Sequence, residues 1–84
     1  MAYTIIILKQ AQKEARTLSL KDRQRIAAGI DSLATDPFRG KQLHGDYEGA
    51  RAIRVWPYRI IYTIQKEIVT VTVVKVGHRK DVYR

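Results

Sequence analysis

Hydrophobic residues recur with two spacings along this chain, and the spacing predicts which segments are strands and which are helices. Residues 3–8 form a short apolar run rich in β-branched side chains, which predicts a buried strand. From Lys9 onward, apolar residues return every three or four positions, as in a helix that buries one side. A second stripe of this kind follows Ser19, a predicted N-cap. Asp36–Pro37 ends this second helix, because the residue before proline is driven out of the α region.

The second half of the chain changes to a spacing of two, which predicts three strands. Residues 51–55 and 58–64 alternate between two faces, and within the apolar run 68–76 valine alternates with threonine over residues 69–73. The glycine-rich stretch 38–49 is predicted to be a loop. The predicted fold is therefore α+β in the order β-α-α-β-β-β, forming one domain over residues 1–84. Its mainly antiparallel sheet ends in a meander, and the helix hairpin packs on one face.

The predicted turn of the meander places two like charges opposite each other. If Trp56 and Pro57 form the loop, Arg54 lies directly opposite Arg59. Two like charges opposed across strands are unfavourable unless an anion sits between them, which indicates an anion site. Because proline cannot supply the positive φ of a type I′ turn, a loop wider than two residues is expected. In a wider loop the two arginines would be diagonal rather than opposed.

The positive charge of the protein is concentrated in its C-terminal part. The formal net charge is +8; residues 51–84 carry eight basic and two acidic groups, whereas residues 1–50 carry eight and six. Such a field favours nucleic acid, an anionic surface or an acidic protein partner. The alternative is a solvated basic face with no partner.

Several classes of site are excluded or disfavoured by composition. The chain has no cysteine, which excludes disulfides and thiolate zinc sites. His44 and His78 lie far apart without nearby ligands, and there is no glycine-rich phosphate loop, so no metal and no cofactor is predicted. No apolar run reaches the length of a membrane span, and the start lacks the basic head of a signal peptide. We therefore expect no membrane partner and a cytoplasmic location.

Arginine, lysine, histidine and tyrosine remain as candidate functional residues at one end of the predicted sheet. Such a set can cleave RNA without a metal, because the ribose 2′-OH is an internal nucleophile. The protein then needs only to orient that group, stabilise the charge on the phosphate oxygens and move two protons.

Two segments resemble the RelE/ParE superfamily of toxins from toxin–antitoxin pairs, with a leaning to the RelE branch. They are Pro-Tyr-Arg-Ile-Ile-Tyr at 57–62 and Val-Gly-His-Arg-Lys-Asp-Val-Tyr at 76–83, and Leu-His-Gly at 43–45 also fits. The resemblance covers essentially the whole chain. It implies a type II toxin that enters the ribosomal A site, cuts mRNA there as an endoribonuclease, and is held inactive by a cognate antitoxin.

The resemblance also implies roles for individual residues. Arg59 matches the arginine that stabilises the transition state, and Arg54 matches a basic strand residue near the phosphate. Arg79 matches a tail arginine that assists the leaving 5′-oxygen, and Tyr83 matches a terminal tyrosine that stacks on or orients the base. His78 falls where active members often carry a polar or basic group, and it completes the candidate catalytic set.

Further basic residues are candidates for contacts with phosphate or ribosomal RNA. These nucleic-acid-binding candidates are Lys41, Arg51, Lys75, Lys80 and Arg84. One position departs from the family pattern: members commonly place a basic residue where this chain has Ala52. The neighbouring Arg51 is expected to point to the opposite face unless a bulge turns it round.

Two other functions share this fold and stay open. A ParE-like toxin would bind DNA gyrase and perform no chemistry, whereas a catalytically silent module would act only through the antitoxin complex, which binds operator DNA. The antitoxin is expected to be acidic or amphipathic in each case. The general base of an RNA cleavage also stays open among His78, Lys41, Arg51 and Tyr83.

Overall fold

The computed structural model describes residues 2–78, which contain two α-helices and a five-stranded sheet. The helices are α1 (Lys9–Arg16) and α2 (Leu20–Ser32); the strands are β1 (Thr4–Ile7), β2 (Lys41–Gln42), β3 (Arg51–Val55), β4 (Tyr58–Gln65) and β5 (Thr70–His78). The sheet order is β1-β5-β4-β3-β2, with β1 parallel to β5 and every other neighbouring pair antiparallel. This confirms the predicted α+β fold with its antiparallel meander.

The helix hairpin is fixed at the predicted cap. The Ser19 side chain accepts a hydrogen bond from the Asp22 N–H at 3.2 Å, which satisfies one of the free donors at the start of α2. Helix α2 ends at Ser32, and Pro37 begins a short 3₁₀ turn, Pro37–Arg39. The helix therefore ends five positions before the proline that was expected to stop it.

The two faces of the sheet differ in what covers them. Ile53 and Ile60 point toward the helices and share the main core with Ile26 of α2. Ala52 and Ile61 point the other way, where they form a smaller cluster with Ala50, Leu43 and Tyr47. We call this second side of the sheet the outer face. The period-two alternation predicted for β3 and β4 therefore holds in the structure.

Three local predictions are wrong. Strand β1 is not buried: Ile6 is 47% exposed, because β1 is an edge strand and only Ile5 and Ile7 pack against the main core. The stretch 38–49 is not only a loop, since it contains β2. The β3–β4 loop is not wider than two residues: Trp56 and Pro57 form it, with a cis peptide bond between them.

Candidate nucleic-acid site

The β3–β4 hairpin brings two arginines directly opposite each other on the outer face. The pairing of Val55 with Tyr58 leaves Arg54 opposite Arg59. Both arginines alternate with residues of the main core, so they point away from the helices. Arg54 is exposed and Arg59 is half-buried. The opposition predicted for a two-residue loop is thus present.

A groove of about 620 Å³ lies beside this pair. Its basic lining residues are Arg39, Lys41, His44, Arg54 and Arg59. Gln42, Leu43, Ala52 and Ile53 complete the lining, so no carboxylate from residues 2–78 lines the groove. Clustered cations repel one another and favour an anion between them, and arginine forks suit phosphate oxygens. We call this feature the outer groove.

The tip of the hairpin is tied to α2 by a hydrogen-bonded network. The Arg25 Nη2 atom donates to the Trp56 carbonyl oxygen at 2.7 Å. The Tyr58 hydroxyl donates to Asp22 Oδ2 at 2.9 Å, and Arg25 also contacts Asp22 at 3.4 Å. The hydrogen bond to the carboxylate, helped by desolvation, raises the pKa of Tyr58 above its ordinary value. These contacts fix the turn that sets the arginine pair.

A second network fixes the segment that leads into β2. The buried Tyr62 hydroxyl donates to the Pro37 carbonyl oxygen at 2.7 Å and accepts from the Gly40 N–H at 3.0 Å. Burial raises the pKa of Tyr62, although the Gly40 hydrogen bond and nearby arginines oppose the shift. Arg51 donates to the carbonyl oxygens of Gly40, at 2.8 Å, and Phe38, at 3.2 Å. The backbone of residues 37–40, which leads into β2, is therefore held in place by these hydrogen bonds.

The same contacts show where the structure places Arg51. It pairs with Tyr62 across β3 and β4, on the helix side of the sheet, and its guanidinium lies 5.2 Å from the centre of the Phe38 ring. The bulge that would have turned Arg51 toward Arg54 is not present in β3. Arg51 therefore does not join the outer groove.

Lys75 and His78 also lie away from the outer groove. Lys75 lies in β5 beyond Val73, the last residue of β5 that pairs with β1. Its ammonium donates to Glu14 Oε2 at 2.8 Å, and Glu14 Oε1 accepts from the Val76 N–H at 2.9 Å. His78 pairs with Tyr58, and their rings meet edge to face with centroids 6.1 Å apart. The structure thus places His78 on the face opposite Arg59. Four other predicted site residues lie outside the described residues: Arg79, Lys80, Tyr83 and Arg84.

Of the predicted site residues, the structure brings together Arg54, Arg59 and Lys41. It adds two that were not in the predicted set, His44 and Arg39. His44 immediately precedes the 3₁₀ turn Gly45–Tyr47 as its N-cap, and Arg39 donates a hydrogen bond to the Ser32 hydroxyl. The Leu-His-Gly stretch was the available signal for His44, whereas no pattern in the sequence singled out Arg39.

The chemistry open to the outer groove follows from these side chains. Guanidinium groups stabilise negative charge but do not give up their protons in proteins. The imidazole of His44 and the amine of Lys41 can also transfer protons. Within residues 2–78, no cluster of three or more His, Asp or Glu side chains is arranged to hold a metal ion. No helix of this part of the chain could span a membrane.

Comparisons with known proteins agree over nearly the whole chain. The sequence model described as "ParE toxin of type II toxin-antitoxin system, parDE" matches residues 5–83. Toxin RelG of Mycobacterium tuberculosis is 32% identical over 90 aligned residues, covering 100% of this chain and 99% of that protein.

Solved structures of toxins have the same fold. The crystal structure of the toxin–antitoxin complex RelBE2 from Mycobacterium tuberculosis contains a chain that matches with a TM-score of 0.86 and 27% identity, covering 94% of this chain and 100% of that chain. The isolated E. coli RelE toxin matches with a TM-score of 0.79 and 28% identity, covering 98% and 92%.

Proposed function

Because this chain belongs to the RelE/ParE family of toxins from type II toxin–antitoxin systems, we propose that it is an endoribonuclease that cuts mRNA on the ribosome. The observation that carries the proposal is the direct opposition of Arg54 and Arg59 across β3 and β4. They lie in a groove lined by further cations and, within residues 2–78, by no carboxylate. This arrangement suits a bound phosphodiester and the extra negative charge of its transition state.

The proposed reaction uses the substrate's own nucleophile. The ribose 2′-oxygen attacks the neighbouring phosphorus and gives up its proton to a base, and the bond from phosphorus to the 5′-oxygen breaks. The leaving 5′-oxygen takes up a proton, so the products are a 2′,3′-cyclic phosphate and a 5′-OH. Arg54 and Arg59 stabilise the phosphorane. Among residues 2–78, the groove lining offers cations and an amide rather than the carboxylate oxygens that Mg²⁺ prefers, which supports a mechanism independent of a metal.

The ribosome supplies what the open groove does not. Cleavage requires the 2′-oxygen, the phosphorus and the leaving oxygen to approach a line, and a single-stranded RNA in solution samples many other geometries. An mRNA held in the A site has already lost much of that freedom. We also propose that Arg79 and Tyr83, which follow β5, contribute to leaving-group assistance and base stacking, as the family resemblance implies.

A primer-extension assay on mRNA, with and without programmed ribosomes, tests this function. We expect cuts between A-site nucleotides only when ribosomes are present. Replacing Arg59 with Ala should lower the rate by about 10²–10³-fold, the usual effect of removing one group that stabilises transition-state charge. Arg16→Ala is the matched control, since Arg16 is an exposed arginine on α1. Undiminished cleavage by the Arg59 variant would remove the outer groove from the mechanism.

We also propose a cognate antitoxin as the protein partner. The RelBE2 structure is a toxin–antitoxin complex, and the present chain carries a net charge of +8. An acidic or amphipathic segment that covers the outer groove would neutralise this charge and block RNA. Co-expression should yield a complex in which cleavage is inhibited, and operator DNA should bind only to that complex. A partner that leaves cleavage unaffected would contradict the blocking role.

A second candidate function is inhibition of DNA gyrase without chemistry, which the ParE description of the matching family model favours. The two functions separate in one pair of assays, mRNA cleavage on ribosomes and gyrase supercoiling. Inhibited supercoiling without any RNA cleavage would select the gyrase reading. The arginine pair on an open groove is the reason that we place the nuclease first.

A further inference from the structure

We propose that Lys41 supplies the phosphate site with its third positive charge, delivered from the edge strand to the place where β3 carries only Ala52. This inference rests on the proposed function and deepens it, because it assigns Lys41 a definite place in the site. The charge row of the site then spans three strands: β2, β3 and β4.

The sheet register places Lys41 next to the arginine pair. Lys41 lies opposite Ala52 across β2 and β3, and Ala52 lies opposite Ile61 across β3 and β4. The Arg54–Arg59 pair is the neighbouring row on the same face, because residues two apart along a strand share a face. Diagonal neighbours of this kind are about 7–8 Å apart at the backbone, within reach of long side chains.

Two independent observations put the Lys41 side chain on the outer face. The first is its pairing with Ala52, since directly paired residues share a face. The second is Leu43, two residues further along, which packs in the outer cluster with Ala52 and Ile61. Gln42, between them, pairs with Arg51 and also contributes to the groove lining. The pairing of β2 with β3 therefore directs the Lys41 side chain into the groove.

The small side chain of Ala52 makes this arrangement possible. Ala52 is 8% exposed and ends at its methyl group, so nothing long rises from β3 between Lys41 and Arg54. Lys41 itself is exposed and lines the groove. Its backbone follows Gly40, which is held by Tyr62 and Arg51, so the lysine starts from a fixed point. Its flexible stem can then bring the ammonium over the position of Ala52.

Electrostatics gives this placement a function. A third cation beside an opposed arginine pair adds repulsion in the empty site and is favourable once a phosphate lies among the three groups. The described lining of the groove holds no carboxylate that would neutralise Lys41 in the absence of a ligand. The charge is thus placed where it contributes to binding an anion rather than to folding.

A charge-transplant experiment tests the proposal. Lys41→Ala should reduce ribosome-dependent cleavage by about 10–100-fold, at or below the lower end of the usual loss for one electrostatic group. The double variant Lys41→Ala/Ala52→Lys should regain most of the loss, because the ammonium returns to the same place from β3. The matched control, Lys41→Ala/Gln10→Lys, keeps the net charge but places the new ammonium on α1, outside the groove lining, and should regain little. Equal recovery by both double variants would overturn the proposal in favour of net charge alone.

A binding measurement separates this proposal from the proposed function. A 2′-O-methyl RNA hexamer cannot be cleaved, so its affinity can be measured against salt concentration whether or not the protein is a nuclease. For single strands each phosphate contact contributes about 0.7 to the slope of log affinity against log salt, so Lys41→Ala should flatten the slope by about that amount. Ala52→Lys should restore the slope in the double variant. A slope unchanged by Lys41→Ala would refute the role of Lys41, while absence of cleavage by the native chain would refute only the nuclease.

Discussion

Two groups of basic residues in this protein differ in their surroundings. The first group lies on the helix side of the sheet and in the second half of β5. Each of its residues contacts an acceptor of the protein itself. Arg25 contacts Asp22 and the Trp56 carbonyl, Lys75 contacts Glu14, and Arg51 donates to two carbonyl oxygens of the 37–40 segment. In the outer groove, by contrast, Arg54 and Lys41 share a lining that holds no carboxylate from residues 2–78.

This difference separates charges that hold the fold from charges that await a ligand. A cation that is hydrogen-bonded inside the protein contributes to folding, whereas clustered like charges cost folding energy and lower the energy of a bound anion. The two groups are mechanically linked, because the Arg25 and Arg51 networks fix the turn and the segment from which Arg54 and Lys41 start. Predictions about stability should therefore differ in sign between the groups.

The largest effect on stability is expected from Gly40→Ala on the helix side. A methyl group at Gly40 would overlap the Tyr62 hydroxyl, which cannot retreat without losing its hydrogen bonds to Gly40 and Pro37. Overpacking of this kind costs about 1–3 kcal/mol or more. Urea unfolding followed by far-UV circular dichroism gives the free energy of unfolding.

A double variant identifies the origin of that loss. Tyr62→Phe removes the hydroxyl that the new methyl group would strike, so the Gly40→Ala/Tyr62→Phe variant should lose less than the sum of the two single losses. Strict additivity would show that the methyl group disturbs something other than Tyr62. Cleavage should fall with the fraction of folded protein, because the outer groove begins at the segment that Gly40 fixes.

Tyr62→Phe alone should have an intermediate effect that depends on pH. It leaves the Pro37 carbonyl and the Gly40 N–H without their buried partner, which costs about 1–3 kcal/mol at neutral pH. Burial raises the pKa of Tyr62 above its ordinary value of 10.0. Above pH 10 the unfolded chain loses the hydroxyl proton before the folded chain does, so this contribution is complete below pH 10 and declines above it.

The matching measurement is the free energy of unfolding at pH 8 and at pH 10.5. The native chain should lose more stability over this interval than Tyr62→Phe does. Tyr58, whose pKa is also raised, stays in both proteins and gives a decline of the same sign. Equal declines in the two proteins would mean that Tyr62 ionises in the folded state as readily as in the unfolded one.

The sequence predicted those parts of the molecule that depend on local patterns. The two-residue alternation correctly predicted which residues of β3 and β4 share a face. The helical spacing, together with Ser19 as a cap, correctly predicted both helices. The opposition of Arg54 and Arg59 followed once Trp56 and Pro57 were taken as the loop. A wider loop was expected because proline cannot supply the positive φ of a type I′ turn. The two-residue loop contains a cis Trp56–Pro57 peptide bond and is therefore a different type of turn.

The rest of the site depends on contacts between segments that the sequence does not mark. Strand β2 has two residues, too few to show alternation, so the pairing of Lys41 with Ala52 could not be read from a pattern. Arg39 reaches the groove through the 3₁₀ turn after α2. His78 was placed with the arginines by resemblance, but the pairing of β5 with β4 puts it beside Tyr58.

The smallest expected change in the free energy of unfolding gives the clearest contrast between the two groups, because it is an increase whereas the other variants lose stability. Arg54→Ala should raise the free energy of unfolding by about 0.2–1 kcal/mol, since it removes a like charge from a directly opposed pair. Glu14→Ala is the comparison from the first group and should lower it by about 1–2 kcal/mol, since Lys75 and the Val76 N–H lose a charged acceptor.

The native chain and both variants should be compared by urea unfolding at low salt and again at 0.5 M salt. Salt should shrink the gain from Arg54→Ala, because screening already weakens the repulsion in the native chain. A loss of stability in Arg54→Ala comparable to that in Glu14→Ala would place Arg54 among the charges that hold the fold, and the groove would then lose the feature that distinguishes it as a binding site.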